Sequence, residues 1–135
     1  MTSEESTAPA ISNPALAAAL DARGYKSLTP VQAAVVASDA GERDLLVSAQ
    51  TGSGKTVAYG LALSSTLLGG ETRFPQADLP LALIVAPTRE LALQVRQELG
   101  WLYADTGARI ATAVGGMDIR REQRALADGA HIVVG

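Results

Sequence analysis

Short apolar runs alternate with helix-forming stretches along most of this chain, and the alternation limits the folds open to it. The runs predicted as strands are Asp44–Ser48, Leu81–Ala86, Arg109–Val114 and His131–Val134. They are continuously apolar, as in strands that are buried on both faces of a sheet. The pattern predicts an α/β fold in which a parallel sheet has helices on both faces, joined by right-handed crossovers.

The stretches between these runs contain ordinary helix start and stop signals. Ser12 or Asn13 is suited to cap a helix with Pro14 in its first turn, and Gly24 is a typical residue after a helix end. Thr29 repeats the start signal. The predicted helices are Pro14 to Gly24, Val31–Ala37, Gly54–Leu68, Thr88 to about Asp105, and Asp118–Ala127.

Length and composition narrow the class of protein. With 135 residues, 47% apolar and 19% charged, the chain is expected to form one globular domain at most. The absence of cysteine excludes disulfides, thiolate metal sites and thiol nucleophiles. The N-terminus lacks a signal-peptide pattern and the apolar runs are too short to span a bilayer, so a soluble cytoplasmic protein is expected.

Charge and chain limits add two expectations. The net charge of −3 does not suggest a protein that coats nucleic acid through bulk charge, so any such binding must be local. Residues 1–12 are expected to be a flexible lead-in to a domain over 13–135. Because the chain stops at Gly135, directly after a predicted buried strand, we expect a domain that is truncated at its C-terminal end and has an exposed strand edge.

The segment Ala49-Gln50-Thr51-Gly52-Ser53-Gly54-Lys55-Thr56 lies between a predicted strand and a predicted helix. Gly52 and Gly54 permit backbone angles that let consecutive N–H groups point at phosphate oxygens. The following helix directs its positive end at the same oxygens. Lys55 is placed to neutralise the outer phosphates and the Thr56 hydroxyl to bind Mg²⁺. The segment therefore predicts a phosphate-binding loop.

Two weaker segments flank this loop. In Gly24–Gln32, the ring of Tyr25 offers a stacking face and the Gln32 amide could match the donor and acceptor edge of adenine. In Ala86–Ala92, Thr88 can cap a helix and Arg89 can meet a phosphate. Taken singly, each segment is explained better by structure than by ligand binding. Gly24–Gln32 contains ordinary helix stop and start signals, and Ala86–Ala92 is typical of a capped helix with a solvated arginine.

In this order, the segments resemble the DEAD-box ATP-dependent RNA helicases, and the resemblance covers about Pro14 to Gly135. The corresponding elements are Gly24–Gln32 as the Q motif, Ala49–Thr56 as motif I, Pro87–Ala92 as motif Ia, Gly115-Gly116 as the GG element, and Ile132–Gly135 as the strand leading into motif Ib. The resemblance implies a RecA-like P-loop NTPase domain.

The resemblance also implies roles for individual residues. Tyr25 would stack on the adenine of ATP, and Gln32 would hydrogen-bond to its edge. The phosphates and Mg²⁺ would be bound by Gln50, Thr51, Gly52, Ser53, Gly54, Lys55 and Thr56, with Lys55 and Thr56 acting in catalysis and Thr56 as the metal ligand. RNA would follow a path along Pro87, Thr88, Arg89 and Gly116.

Some features depart from the family pattern. Leu28 stands where the Q motif usually has proline, and no aromatic residue precedes Tyr25. The Asp-Glu-Ala-Asp and Ser-Ala-Thr motifs are absent. One alternative is therefore a nucleotide-binding module without turnover. Another is a P-loop ATPase unrelated to RNA, which the Gln32 segment and Pro87–Ala92 argue against.

Other conspicuous residues are interpreted as structural. His131, Trp101 and Tyr103 are expected to serve packing. The cluster Arg120, Arg121 and Arg124 is expected to form a solvated helix face, with an RNA-backbone contact as the minority interpretation.

Overall fold

A computed structural model of the chain describes residues 11, 13–25, 27–38, 43–49, 54–116 and 118–135. The helices in these ranges are α1 (Pro14–Ala22), α2 (Pro30–Ala37), α3 (Lys55–Leu68), α4 (Arg89–Leu102) and α5 (Ile119–Ala127). The strands are β1 (Ala82–Ile84), β2 (Ile110–Thr112) and β3 (Ile132–Val134), and a 3-10 turn covers Ala104–Thr106. The predicted lead-in and Ser12 lie outside the described residues, apart from Ile11.

The three strands form one parallel sheet in the order β1-β3-β2. Val133 of β3 lies opposite Leu83 on one side and Ala111 on the other. Since β3 comes last in the chain but lies in the centre, the connection from β1 to β2 passes over the position of β3. The connection from β2 then leads back to this central position. The predicted α/β architecture with a parallel sheet is confirmed.

Local capping groups determine where the helices begin. The side chain of Asn13 accepts a hydrogen bond from the Ala15 N–H at 3.0 Å, and that of Thr88 accepts one from Leu91 at 3.1 Å. Asp118 caps α5 by accepting from the Arg121 N–H at 3.1 Å. Each bond satisfies an N–H that the helix itself leaves unpaired. The predicted starts of these helices are therefore confirmed.

Alternate residues of β3 belong to different apolar clusters. Ile132 and Val134 join the main core, which α1, α3 and α4 build with Leu16, Leu20, Val57, Leu61, Leu68, Ala92, Val95, Leu99 and Leu102. Val133 faces a smaller cluster with Ala111 and Ala130, against which Ala125 of α5 packs. Because successive strand residues point to opposite faces, the helices cover both faces of the sheet, as predicted.

The predicted strand Asp44–Ser48 is wrong. These residues are described without strand structure, and Leu46 is 97% exposed. A strand exists only when its backbone groups pair with a neighbouring strand. The described sheet ends at β1, where Leu83 and Val85 are 69% and 78% exposed. The apolar run pairs with neither edge strand of the described sheet, β1 or β2.

The end of α4 also differs from the prediction. The helix stops at Leu102 rather than near Asp105, and the chain tightens into the 3-10 turn that ends before Gly107. Helix ends often tighten in this way because the last carbonyl groups lack partners. Within the described residues, none of the helices has the length and apolar character needed to cross a membrane.

Candidate functional site

The structure describes the two ends of the predicted phosphate loop, which are Ala49 and the N-terminus of α3. Gly54 caps the helix with a positive φ of 88°, and Lys55 is its first residue. Lys55 Nζ donates a hydrogen bond to the Ala49 carbonyl oxygen at 2.7 Å, so the side chain reaches back to the start of the loop. The residues between them, Gln50, Thr51, Gly52 and Ser53, lie outside the described residues.

Gln32 connects α2 to this helix end. Its side chain is fully buried. Oε1 accepts the Thr29 N–H at 3.0 Å in a capping box, while Nε2 donates to the Gly54 carbonyl at 3.2 Å. The structure thus places Gln32 beside the loop, with its amide directed at protein groups. Its contact with adenine stays a prediction.

Gly54 has a second reason to be glycine besides its positive φ. A Cβ at this position would collide with Gln32 Nε2 and would lie 3.3 Å from Thr29 Oγ1. Other residues rarely adopt this backbone conformation, and here a side chain would also displace a buried amide. The close approach of α2 to α3 therefore depends on Gly54.

Thr56, the predicted metal ligand, lies half-buried in the first turn of α3. Tyr59 stands one turn later and shares a side-chain hydrogen bond with it. Burial raises the pKa of Tyr59, the hydrogen bond to Thr56 lowers it, and the negative charge of Glu98 raises it. The phenol therefore stays neutral at physiological pH. Among the described residues, no group of three metal-binding side chains surrounds Thr56 or any other position.

Tyr25, predicted to stack on adenine, packs against α4 in the structure. Its ring centroid lies 5.7 Å from that of Trp101, and the Arg23 guanidinium lies 5.1 Å from the Trp101 ring. The side chain of Tyr25 is half-buried by this packing. Its stacking on a base stays a prediction.

The residues predicted to contact RNA lie after the carboxyl ends of β1 and β2. Pro87, Thr88, Arg89 and Gly116 are all exposed. Because the two strands are parallel, these ends lie at the same edge of the sheet. The Arg89 guanidinium lies against Gly116, on the side where a Cβ would point. The structure therefore brings Arg89 and Gly116 together, and the N-terminus of α4 lies beside them.

The sequence interpretation missed Glu122 of α5. Its carboxylate accepts hydrogen bonds from the N–H groups of Val114 at 3.0 Å and Gly115 at 3.3 Å. An acidic residue in the first turn of a helix that follows Gly115-Gly116 was the available signal. That signal does not distinguish this contact from a simple interaction with the helix dipole.

The residues interpreted as structural have structural surroundings. His131 is buried, its Nδ1 accepts the Arg109 N–H at 2.9 Å, and its ring stacks on Phe74 at 4.5 Å. The Tyr103 hydroxyl donates to the Gly60 carbonyl, and burial raises its pKa far above the ordinary range. The side chains of Arg120, Arg121 and Arg124 are exposed.

Two positive helix ends therefore characterise the site. The N-terminus of α3 has no side-chain cap and carries Lys55, whereas the N-terminus of α4 is capped by Thr88 and carries Arg89. Both arrangements suit anions such as phosphate groups. The positive φ of Gly54 turns the backbone into α3 at this point, a conformation that phosphate-binding loops use.

Comparisons with known proteins agree with this geometry. Residues 29–135 match the DEAD/DEAH box helicase family. The chain is 38% identical over 120 residues to the DEAD-box ATP-dependent RNA helicase CshA of Bacillus licheniformis, which covers 89% of this chain and 23% of that protein. It is 37% identical over 125 residues to the ATP-dependent RNA helicase RhlB of Xanthomonas oryzae pv. oryzae, covering 90% of this chain and 21% of that one.

A solved structure extends the similarity to the fold. The crystal structure of the RNA helicase Prp28 from Chaetomium thermophilum bound to ADP has a TM-score of 0.77 and 36% identity to this chain. The match covers 89% of this chain and 29% of that one. The chain thus spans less than a third of the length of these relatives, and its fold is that of part of a RecA-like domain.

Proposed function

The chain belongs to the DEAD/DEAH box helicase family, and on that basis we propose that the full-length protein is an ATP-dependent RNA helicase. It would couple RNA-stimulated ATP hydrolysis to the unwinding of RNA duplexes or the remodelling of RNA–protein complexes. The observation that supports this most is the junction of Gln32, Gly54 and Lys55. It joins Gly24–Gln32, the segment predicted to bind adenine, to the predicted phosphate loop through the buried amide of Gln32.

In this proposal the N-terminus of α3 binds the phosphates of ATP. Lys55 would exchange its hydrogen bond with the Ala49 carbonyl for contacts with the outer phosphates, since an ammonium group can donate three hydrogen bonds. Thr56 would hold Mg²⁺, and Tyr59 would orient its hydroxyl. When bound, the metal would neutralise negative charge on the phosphates.

The proposed RNA surface lies at the other helix end. Pro87, Thr88, Arg89 and Gly116 are exposed at the carboxyl edge of the sheet. Arg89 and the N-terminus of α4 would bind phosphates of the RNA backbone. Such contacts position the protein on RNA and do not read the base sequence. ATP would then bind at the N-terminus of α3 and RNA at the N-terminus of α4.

The 135 residues considered alone support a narrower proposal. Phosphoryl transfer needs positioned water and charge stabilisation as well as a phosphate-binding loop, and the sequence has no Asp-Glu-Ala-Asp motif. We therefore propose that this chain alone binds nucleotide without turnover. Incubation with ATP, Mg²⁺ and RNA should release no phosphate. For the full-length protein we propose a cytoplasmic location, which the lack of cysteine in these 135 residues supports.

Phosphate release by the full-length protein, with and without single-stranded RNA, tests the main proposal. We expect RNA to stimulate the wild type and Lys55→Ala to lower the stimulated rate by about a hundredfold or more, as for other charge-stabilising groups. Arg109→Ala removes a cation from the opposite edge of the sheet and should leave the rate unchanged. Equal stimulation by DNA, or a normal rate in Lys55→Ala, would contradict the proposal.

A further inference from the structure

Glu122 makes contacts that the proposed nucleotide and RNA sites do not explain. Its Oε2 accepts the Val114 N–H at 3.0 Å and its Oε1 accepts the Gly115 N–H at 3.3 Å. The Thr112 hydroxyl lies 3.5 Å from Oε2 as a third, longer donor. The carboxylate therefore binds the segment that leaves β2 and leads into Gly116.

A carboxylate is well suited to this position. Val114 and Gly115 have left the strand ladder, so their N–H groups need acceptors from elsewhere. Glu122 offers acceptors only, and hydrogen bonds to a charged acceptor are stronger than neutral ones. Its helix is fixed by the Asp118 cap, which accepts the Arg121 N–H at 3.1 Å. The half-buried side chain thus extends from a well-defined helix start.

The anchored segment continues directly to the proposed RNA surface. Gly115 and Gly116 have positive φ values of 68° and 69°, and neither has a side chain that could pack. Such a pair is conformationally permissive unless contacts on either side restrain it. Glu122 restrains one side, and the Arg89 guanidinium lies against Gly116 on the other. The position of Gly116 relative to Arg89 therefore depends on Glu122.

We propose that Glu122 is a positioning residue for binding of the RNA backbone. It holds the exit of β2 so that the Gly116 backbone and the Arg89 guanidinium meet the RNA backbone together. This inference rests on the RNA surface proposed above. Electrostatics alone predicts the opposite effect, because removing a carboxylate near RNA phosphates reduces repulsion. Weaker RNA binding after removal of the carboxylate would therefore indicate positioning, and tighter binding would indicate charge repulsion alone.

The test measures the dissociation constant of the full-length protein for a fluorescent single-stranded RNA, and separately for a fluorescent ADP analogue. Glu122→Ala should weaken RNA binding about tenfold, from the loss of charged hydrogen bonds, without changing nucleotide binding. Glu122→Gln should weaken RNA binding less, by about threefold, since its single carboxamide oxygen replaces only one of the two carboxylate acceptors. Gln123→Ala, an exposed neighbour on α5, is the matched control and should have no effect.

Salt dependence supplies a readout that a general loss of structure would not reproduce. Arg89→Ala should reduce the slope of log Kd against log salt by about 0.7, as expected for one lost contact with a single-strand phosphate. Glu122→Ala should leave the slope unchanged, because Arg89 keeps its place on α4 and only the uncharged contact of the Gly116 backbone with RNA is lost. A reduced slope in Glu122→Ala would contradict the positioning role.

The remaining outcomes separate this inference from the proposed function. If folded Glu122→Ala binds RNA as tightly as the wild type, or more tightly, while Arg89→Ala binds weakly, the positioning role is wrong and the RNA surface stands. If neither variant changes RNA binding, the surface itself is wrong. If Glu122→Ala fails to fold, hydrogen exchange of the backbone amides in the wild type tests the proposal instead. Slow exchange at Val114 and Gly115 is expected, and fast exchange at both would overturn the proposal.

Discussion

Gly54 and Gly116 have similar backbone conformations but different surroundings. Both have positive φ, and a Cβ at either would collide with a nitrogen of a neighbouring side chain. At Gly54 that neighbour is the fully buried amide of Gln32, which is hydrogen-bonded to Thr29 and Gly54. At Gly116 it is the far end of Arg89, an exposed and flexible side chain.

The difference suggests that the two proposed anion sites are held in different ways. Around Gly54, buried polar contacts hold the helix end in place, and those contacts cannot shift without leaving groups unpaired. Around Gly116, the charged group stays exposed and free to move, while Glu122 restrains the backbone from behind. We infer that substitutions around Gly54, at the proposed nucleotide site, are tolerated less well than substitutions around Gly116, at the proposed RNA surface.

The largest expected effect is that of Gly54→Ala. Left-handed strain and displacement of the Gln32 amide should together cost about 2–4 kcal/mol of stability and weaken nucleotide binding more than tenfold. Urea unfolding and binding of the fluorescent ADP analogue measure these changes. Gly100→Ala is the matched control, because it adds a methyl group to α4 in open space and should be neutral or slightly stabilising. Equal effects of both substitutions would contradict the special role of Gly54.

Gln32→Ala should have the next largest effect. It removes the two side-chain hydrogen bonds that Gln32 makes to the Thr29 N–H and the Gly54 carbonyl in a partly buried place, at a cost of about 1–3 kcal/mol. Nucleotide affinity should fall while RNA affinity without nucleotide stays the same. Gln97→Ala, on the exposed face of α4, serves as control. Wild-type nucleotide binding and stability in Gln32→Ala would show that the junction is dispensable.

Tyr103→Phe provides a reference for burial away from both sites. Loss of the hydrogen bond to the Gly60 carbonyl should lower the free energy of unfolding by about 1–2 kcal/mol, with no change in either binding constant. Burial raises the folded-state pKa of Tyr103, so its contribution to stability is full below the unfolded-state value of about 10 and falls as pH rises above it.

Unfolding by urea at pH 8 and above pH 10 tests this pH dependence. The wild type should lose more stability over that interval than Tyr103→Phe, because only the wild type must keep the buried phenol protonated. Equal losses in the two proteins would show that Tyr103 ionises as readily when folded as when unfolded.

Gly116→Ala should have a smaller effect on stability than Gly54→Ala. The positive φ costs about 1–2 kcal/mol for any non-glycine residue, but Arg89 can move aside. RNA binding should weaken a few-fold and nucleotide binding should not change. An effect on stability larger than that of Gly54→Ala would reverse the comparison between the two regions.

The sequence predicts best those features that local groups determine. Asn13, Thr29, Thr88 and Asp118 cap helices with their own side chains, so the helix starts could be identified without tertiary information. The strand Asp44–Ser48 could not be judged in this way. Its apolar pattern is typical of a buried strand, but pairing depends on a neighbour that local sequence does not reveal.

The candidate site shows the same limit. The pattern of glycines and Lys55 indicated a phosphate loop, and Arg89 and Gly116 indicated a second surface. The contact of Gln32 with Gly54 joins residues 22 positions apart, and that of Tyr103 with Gly60 joins residues 43 apart. Glu122 was missed because its partners are backbone N–H groups, which have no sequence signature.

The central claim is that nucleotide and RNA bind to separate helix ends, and one paired measurement tests it most directly. Affinities for the fluorescent ADP analogue and for single-stranded RNA without nucleotide are determined in full-length Lys55→Ala and Arg89→Ala, with Arg96→Ala as the control on α4. Lys55→Ala should weaken only nucleotide binding and Arg89→Ala only RNA binding. If either variant weakens both affinities equally while remaining folded, or if Arg89→Ala behaves like Arg96→Ala, the claim is contradicted.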